Sequence, residues 1–371
     1  MKPEASPYWL IDGLKVLAAQ VIVLHHCVSY GQLALVASLQ LPHLSSILFD
    51  YGRYAVQVFL VMAGYLAAQS AEKAFAISHV HSNGFGTRLV MQLAIRRYLR
   101  LVGPYIVALL ITMVCAVLAR QWSADEYIGQ TETIAQVLAH LFLLQGLLGY
   151  ESISAGVWYV AIDWQLFTAL AVVYAIFKQQ MLRIGVISIL IMASLLYFNR
   201  HAGFENSFIY FIGAYGLGIL AYWASSLNAI QKSGNHASAK KILIAIAIIL
   251  IVSAVHSVWL RNYLALGIAF LLLYAGNKPY LHPQTWHARA MQWASARAYC
   301  AFLIHFAFIL LANTVLLALH LESPVIGVSM IALVSVLSWI AAGYLYRWVE
   351  LPMSRWRPTT LFSESALHTI R

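Results

Sequence analysis

The sequence predicts an all-α integral membrane protein. It should have about ten transmembrane helices, one re-entrant or outer-surface helix near residues 133–149, and both termini in the cytoplasm. Three observations predict this. Of 371 residues, 62% are hydrophobic and only 10% are charged, where soluble domains run near a quarter charged. The mean hydropathy is +0.76. Apolar runs of spanning or near-spanning length recur along the whole chain, and the basic residues between them alternate in density.

The runs fall at 9–30, 54–71, 98–119, 157–177, 184–198, 207–225, 242–258, 261–276, 298–319 and 325–347. The stretch 133–149 is shorter, and loop charge decides its status. With 133–149 left out as a span and the N-terminus inside, all but four of the 23 lysines and arginines lie inside; Arg53, Arg120, Arg200 and Arg261 stay outside. Counting 133–149 as a span flips every later loop and destroys that bias. The most loop-like segments are 72–97, 226–241 and 277–297, all inside. Residues 1–357 form one multi-pass domain, and 358–371 a short cytoplasmic tail.

Composition also excludes some classes. The net charge of +10 reflects inside-facing Lys and Arg rather than nucleic-acid binding. Cys27, Cys115 and Cys300 all sit in apolar stretches, which suits neither a disulfide framework nor a metal site. The N-terminus lacks the basic, apolar and small-residue order of a cleavable signal, so none is expected.

The chemistry concentrates in Tyr8–Tyr30, YWLIDGLKVLAAQVIVLHHCVSY. Ionisable groups in a membrane helix are costly and tend to be functional. Lys15 and His26 are eleven residues apart, so they share a helix face, roughly 16 Å apart along the axis. The plain alternative is a snorkelling lysine and a packing histidine. His25, about 100° around the helix, faces elsewhere and is secondary.

Further along, Val56–Tyr65 carries Phe59, Gly64 and Tyr65. Arg96-Arg-Tyr-Leu-Arg-Leu-Val-Gly-Pro104 groups three guanidinium forks, which suit phosphate; anchoring to anionic lipid is the alternative. The run from Val157 holds Trp158, Asp163 and Phe167. Arg297–His305 holds Tyr299, Phe302, Leu303 and His305; counted from residue 298, His305 comes out in the inner half of its helix at the level of Lys15, with a buried packing histidine as the alternative. Tyr346–Arg355 holds Glu350, for which an ion pair with a nearby Arg is the expected state. By depth counted from the helix ends, Asp163 and His26 come out level, so a carboxylate–imidazole pair is expected. Pairing of Asp163 with Arg200 or Arg261 is the alternative.

These segments resemble, in order and over about residues 8 to 356, the membrane-bound acyltransferase-3 family. The resemblance rests on Asp12-Gly13-Leu14-Lys15, then ten residues, then His26, on Phe59/Gly64/Tyr65, and on the paired-Arg segment, whose Pro104 comes one residue late. It rests also on Asp163 in a Glu position, on Tyr299/Leu303/His305, and on Glu350 before Pro352. Lys15 stands where the family usually has Arg, and Ala63 where Ser is usual.

The resemblance implies ten helices in a bacterial inner membrane. It implies transfer of an acyl group, with acetyl expected, from cytoplasmic acetyl-CoA to a hydroxyl of a surface glycan or glycolipid such as lipopolysaccharide O-antigen, capsule or exopolysaccharide. Under that reading His26 is the general base, oriented by Asp163. Lys15, Arg96, Arg97 and Arg100 hold the coenzyme A phosphates, and Tyr65 and His305 line the pantetheine path. A continuous path from Lys15 to His26 is then expected. No nucleic acid is involved, and membrane lipids surround the chain. The rival from another class is a proton-coupled exporter of a glycan or lipid intermediate.

Overall fold

A computed structural model describes residues 8–78, 85–225, 235–253, 259–276 and 278–355. Among the described residues the secondary structure is helical, without a strand, and one isolated bridge pairs Tyr8 with Pro279. The helices are α1 (Trp9–Cys27), α2 (Gly31–Gln40), α3 (Pro42–Tyr51), α4 (Ala55–Ser78), α5 (Phe85–Ala119), α6 (Ile134–Leu141), α7 (Trp158–Ile176), α8 (Gln180–Leu196), α9 (Phe208–Ala224), α10 (Asn235–Ser253), α11 (Leu260–Ala275), α12 (Trp286–Ala318), α13 (Pro324–Leu345) and α14 (Leu351–Arg355). A π-helical turn, Tyr346–Glu350, joins the last two.

Every predicted apolar run falls on a helix, with residues 254–258 of the seventh lying outside the described residues. Among the described residues, seven stretches are long and apolar enough to cross a membrane: Trp9–Cys27, Pro42–Ala76, Gly86–Ala119, Trp158–Ile176, Gln180–Arg200, Trp286–Ala318 and Pro324–Arg355. Helices α9 and α11 are apolar but shorter. The 133–149 stretch holds no helix long enough to span. Its helix α6 has eight residues, about 12 Å at 1.5 Å per residue, against a hydrocarbon core of about 30 Å.

Two of the predicted loops are mostly helix. Helix α4 runs on to Ser78 and α5 starts at Phe85, so the described part of 72–97 is helix, and 79–84 lie outside the described residues. Helix α12 starts at Trp286, where the Thr285 hydroxyl caps it by accepting the Ala288 N–H at 3.3 Å. The reason is simple. Arg88, Arg96, Arg289 and Arg297 end an apolar run, but they are good helix formers and do not end a helix. The third segment, 226–241, keeps α10 from Asn235 onward, and its first part lies outside the described residues, as does the 358–371 tail.

Helices α2 and α3 were announced by no apolar run of spanning length. The chain turns into α2 at Gly31, whose φ of +68° is open to glycine at little cost. Asn313 of α12 fixes that turn: its Oδ1 accepts the Leu33 N–H at 2.8 Å, and its amide donates to Tyr30 O and Ile309 O.

The centre is set by the crossing of α4 and α9. A Cβ on Gly64 would collide with the Tyr215 carbonyl, and one on Gly218 with the Val61 carbonyl. Gly64 is therefore a packing residue that lets two backbones touch. Asp12, fully buried, accepts from Ser295 Oγ at 2.6 Å and from Tyr280 Oη at 2.9 Å, tying the start of α1 to α12 and the segment before it. Cys27, Cys115 and Cys300 are free, buried thiols.

Candidate active site

Two cavities lie one behind the other along α1. The first, of about 400 Å³, takes Lys15 from α1, Arg97 and Arg100 from α5, Asp163 from α7 and Glu350 from the π-helical turn. The start of α1 and the end of α13 thus meet at one end of the molecule. The second, of about 610 Å³, takes His25 and His26 from the far end of α1, with Arg53, Arg200 and Arg261.

Phe302 of α12 belongs to both walls. Its ring packs with Phe59 at 5.9 Å and with Tyr159 at 5.7 Å, and those two rings are 6.0 Å apart. This aromatic layer lies between the cavities. Along the path expected from the sequence, the two cavities share this ring.

The imidazole of His26 has its partner one helical turn along α12. His26 Nδ1 is 2.7 Å from His305 Nε2, and the rings are near-parallel at 10°. His305 Nδ1 is 2.7 Å from the Phe302 carbonyl oxygen. A carbonyl only accepts, so His305 carries its proton on Nδ1 and offers a lone pair at Nε2. His26 must then donate from Nδ1, which leaves its own Nε2 unprotonated. The chain from the Phe302 carbonyl through His305 to His26 therefore selects the tautomer a general base needs.

That arrangement corrects two expectations. Asp163 does not partner His26. Both its oxygens are taken by Arg97, with Nη2 at 2.8 Å and 2.7 Å and Nε at 3.0 Å. The same guanidinium lies 5.1 Å from the Phe167 ring. The depth count treated two helix ends as level. In fact Asp163 stands in the Lys15 cavity, and His26 in the other. His305, expected at the Lys15 level, instead stands beside His26. The count started at residue 298, whereas the helix starts at Trp286.

Other predicted residues sort themselves plainly. Lys15, Arg97 and Arg100 share one cavity wall. Arg96 is exposed and lies outside both cavity walls. Tyr65 is fully buried against Tyr222, edge to face at 5.4 Å, with its hydroxyl 3.2 Å from Ser225 Oγ, and is in neither wall. His25 shares the second cavity with His26 after all. Its Nδ1 lies 2.9 Å from the Leu48 carbonyl of α3, so α3 decides its direction. Glu350 forms no ion pair with an Arg among the described residues; the Cys300 thiol donates to its Oε2 at 3.1 Å. Among the described residues the ion pairs recorded are Arg97–Asp163 and Arg120–Glu132.

Sequence reasoning missed Phe302 as the divider and His305 as the tautomer-setting group. Both lie in Arg297–His305, the segment where one helical turn separates an aromatic from a histidine.

The family model described as an acyltransferase domain matches residues 8–343. No curated protein and no solved structure matches the chain. The match covers the residues of both cavities apart from Glu350. The chain belongs to the acyltransferase-3 family.

Proposed function

We propose that this protein moves an acyl group, with acetyl the expected one, from acyl-CoA to a hydroxyl of a glycan or glycolipid, with His26 as general base. The observation that carries the reading is the position of His26: its Nδ1 is committed to His305, it lies in one cavity, and Lys15, Arg97 and Arg100 line the next. Acyl-CoA enters the Lys15 cavity from the cytoplasm of a bacterium whose inner membrane holds the chain. Lys15 and Arg100 receive its phosphates. Asp163 acts here by fixing Arg97 in the wall, and both are tied by the same fork.

The acceptor enters the second cavity from the other face. As its hydroxyl oxygen attacks the thioester carbonyl, His26 Nε2 takes the hydroxyl proton. His305 Nε2 accepts from Nδ1 of the imidazolium that forms. The C–S bond then breaks, and the proton on His26 passes to the coenzyme A thiolate. Such positioned proton transfer contributes about 10²–10⁴-fold to rate. The ring of Phe302 must turn aside for the thioester to reach His26.

Membrane vesicles with labelled acetyl-CoA and surface glycan test this. Label in glycan that is lost in His26→Ala supports it. Glycan moved across the membrane without label would show the exporter instead.

A further inference from the structure

Resting on that reading, we propose that the acceptor is anionic: a saccharide or glycolipid whose carboxylate or phosphate is received by Arg53, Arg200 and Arg261. The argument starts from charge placement. With the orientation that the loop charges favour, only four of the 23 basic residues lie on the His26 side: Arg53, Arg120, Arg200 and Arg261. Cations are scarce on that side of a membrane protein as a rule. Three of the four line one cavity, the one that holds His26. The fourth, Arg120, is elsewhere and bound to Glu132.

These three come from separate parts of the chain, namely the turn before α4, the turn after α8, and the start of α11. Their convergence is made by the fold and not by a basic run. Each guanidinium is braced on an aromatic face: Arg53 at 5.5 Å from the Tyr54 ring, Arg200 at 5.6 Å and Arg261 at 5.1 Å from the Trp259 ring. Such stacking holds the fork in place without neutralising it. Arg261 also donates to the Tyr210 hydroxyl at 2.7 Å and to the Asn199 carbonyl, so it is fixed. Arg53 forms no ion pair among the described residues.

Among the described residues Glu205 is the one carboxylate in this wall, and it already accepts from the Tyr210 hydroxyl at 2.9 Å. The wall therefore carries an excess of two positive charges, counting the histidines neutral. Trp158, stacked on Phe211 at 5.2 Å, gives a flat apolar face in the same cavity, which suits the C–H face of a sugar ring. An anion on the arginines, a ring on Trp158 and a hydroxyl at His26 describe an acidic sugar rather than a neutral one.

Direct binding tests this without any acyl donor. The full chain is placed in zwitterionic nanodiscs and titrated with fluorescent acidic oligosaccharides (galacturonate, sialate and glycerol-phosphate types) and with a neutral cello-oligosaccharide. The expected result is at least one acidic probe bound about tenfold or more tighter than the neutral one. Arg53→Gln should weaken it several-fold, and so should added salt. Arg88→Gln, exposed and outside both cavities, should leave it unchanged. Equal affinity for neutral and acidic probes, no binding of any acidic probe, or equal loss in Arg88→Gln would overturn the proposal. So would competition by phosphatidylglycerol at the affinity of the best glycan, since the arginines would then hold lipid. Failure of labelled transfer with acidic binding intact would instead count against the acyltransferase reading.

Discussion

The two cavities share a wall, yet they are built on different electrostatic plans. Around Lys15, cations and carboxylates interleave: Arg97 is clamped to Asp163, and Glu350 stands in the same wall as Arg100. Around His26, arginines are braced by rings and carbonyls, and the one carboxylate is engaged by a tyrosine. The first plan limits net charge while keeping cations available for a phosphate. The second holds more arginines than carboxylates in its wall. One turn of α12 separates them. Phe302 closes the wall with its ring, while its carbonyl orients His305, and His305 orients His26. The divider and the base are thereby mechanically linked.

Substitutions on either side of the wall should break this comparison in different ways. The largest effect belongs to His26→Ala, which should cost about 10³-fold or more in transfer while coenzyme A affinity stays within about twofold. Retained transfer in labelled vesicles would remove the base from the second cavity. His305→Ala should follow at about 10²-fold, because it frees the tautomer without removing the base. His305→Gln can offer an amide oxygen to His26 Nδ1 and should recover part of that loss, with the donor KM unmoved. A purely structural histidine would give the two variants one rate.

Lys15→Ala should act only on the first cavity, raising the donor KM about tenfold with little change in kcat, and Lys15→Arg should be mild. An equal loss of kcat in both would mean that Lys15 does more than hold phosphate. Phe302→Ala should merge the chambers. We expect acyl-CoA hydrolysis without acceptor to rise several-fold, because water gains the path that the ring denies it. Unchanged hydrolysis would place the barrier elsewhere. The smallest effect on chemistry is that of Gly64→Ala. It should lower thermal stability in detergent by about 1–3 kcal/mol through the Tyr215 carbonyl, with residual activity per folded molecule near normal.

How much of this was legible depends on what each inference needed. The helices were, because an apolar run is a local signal, and so was the pairing of Lys15 and His26 on one stripe, because it needs only a helix. Helix ends beyond the apolar runs were not. Arg289 and Arg297 continue α12 through a polar stretch that hydropathy reads as loop. That single error displaced His305 by more than a turn in the depth count. The partner of Asp163 was illegible for a different reason. His26, Arg200 and Arg261 were the claimants by depth, whereas the approach of α5 to α7, which brings in Arg97, leaves no local signal. The convergence of Arg53, Arg200 and Arg261 needed three separated segments to meet, which no spacing rule reports.

The central claim is that His305 holds His26 with its Nε2 free. Nitrogen-15 NMR of histidine-labelled protein in nanodiscs reads this directly. The predicted result is a proton on Nδ1 of both rings and a through-hydrogen-bond coupling between His26 Nδ1 and His305 Nε2. A His26 ring protonated on Nε2, or the absence of any coupling to His305, would contradict it.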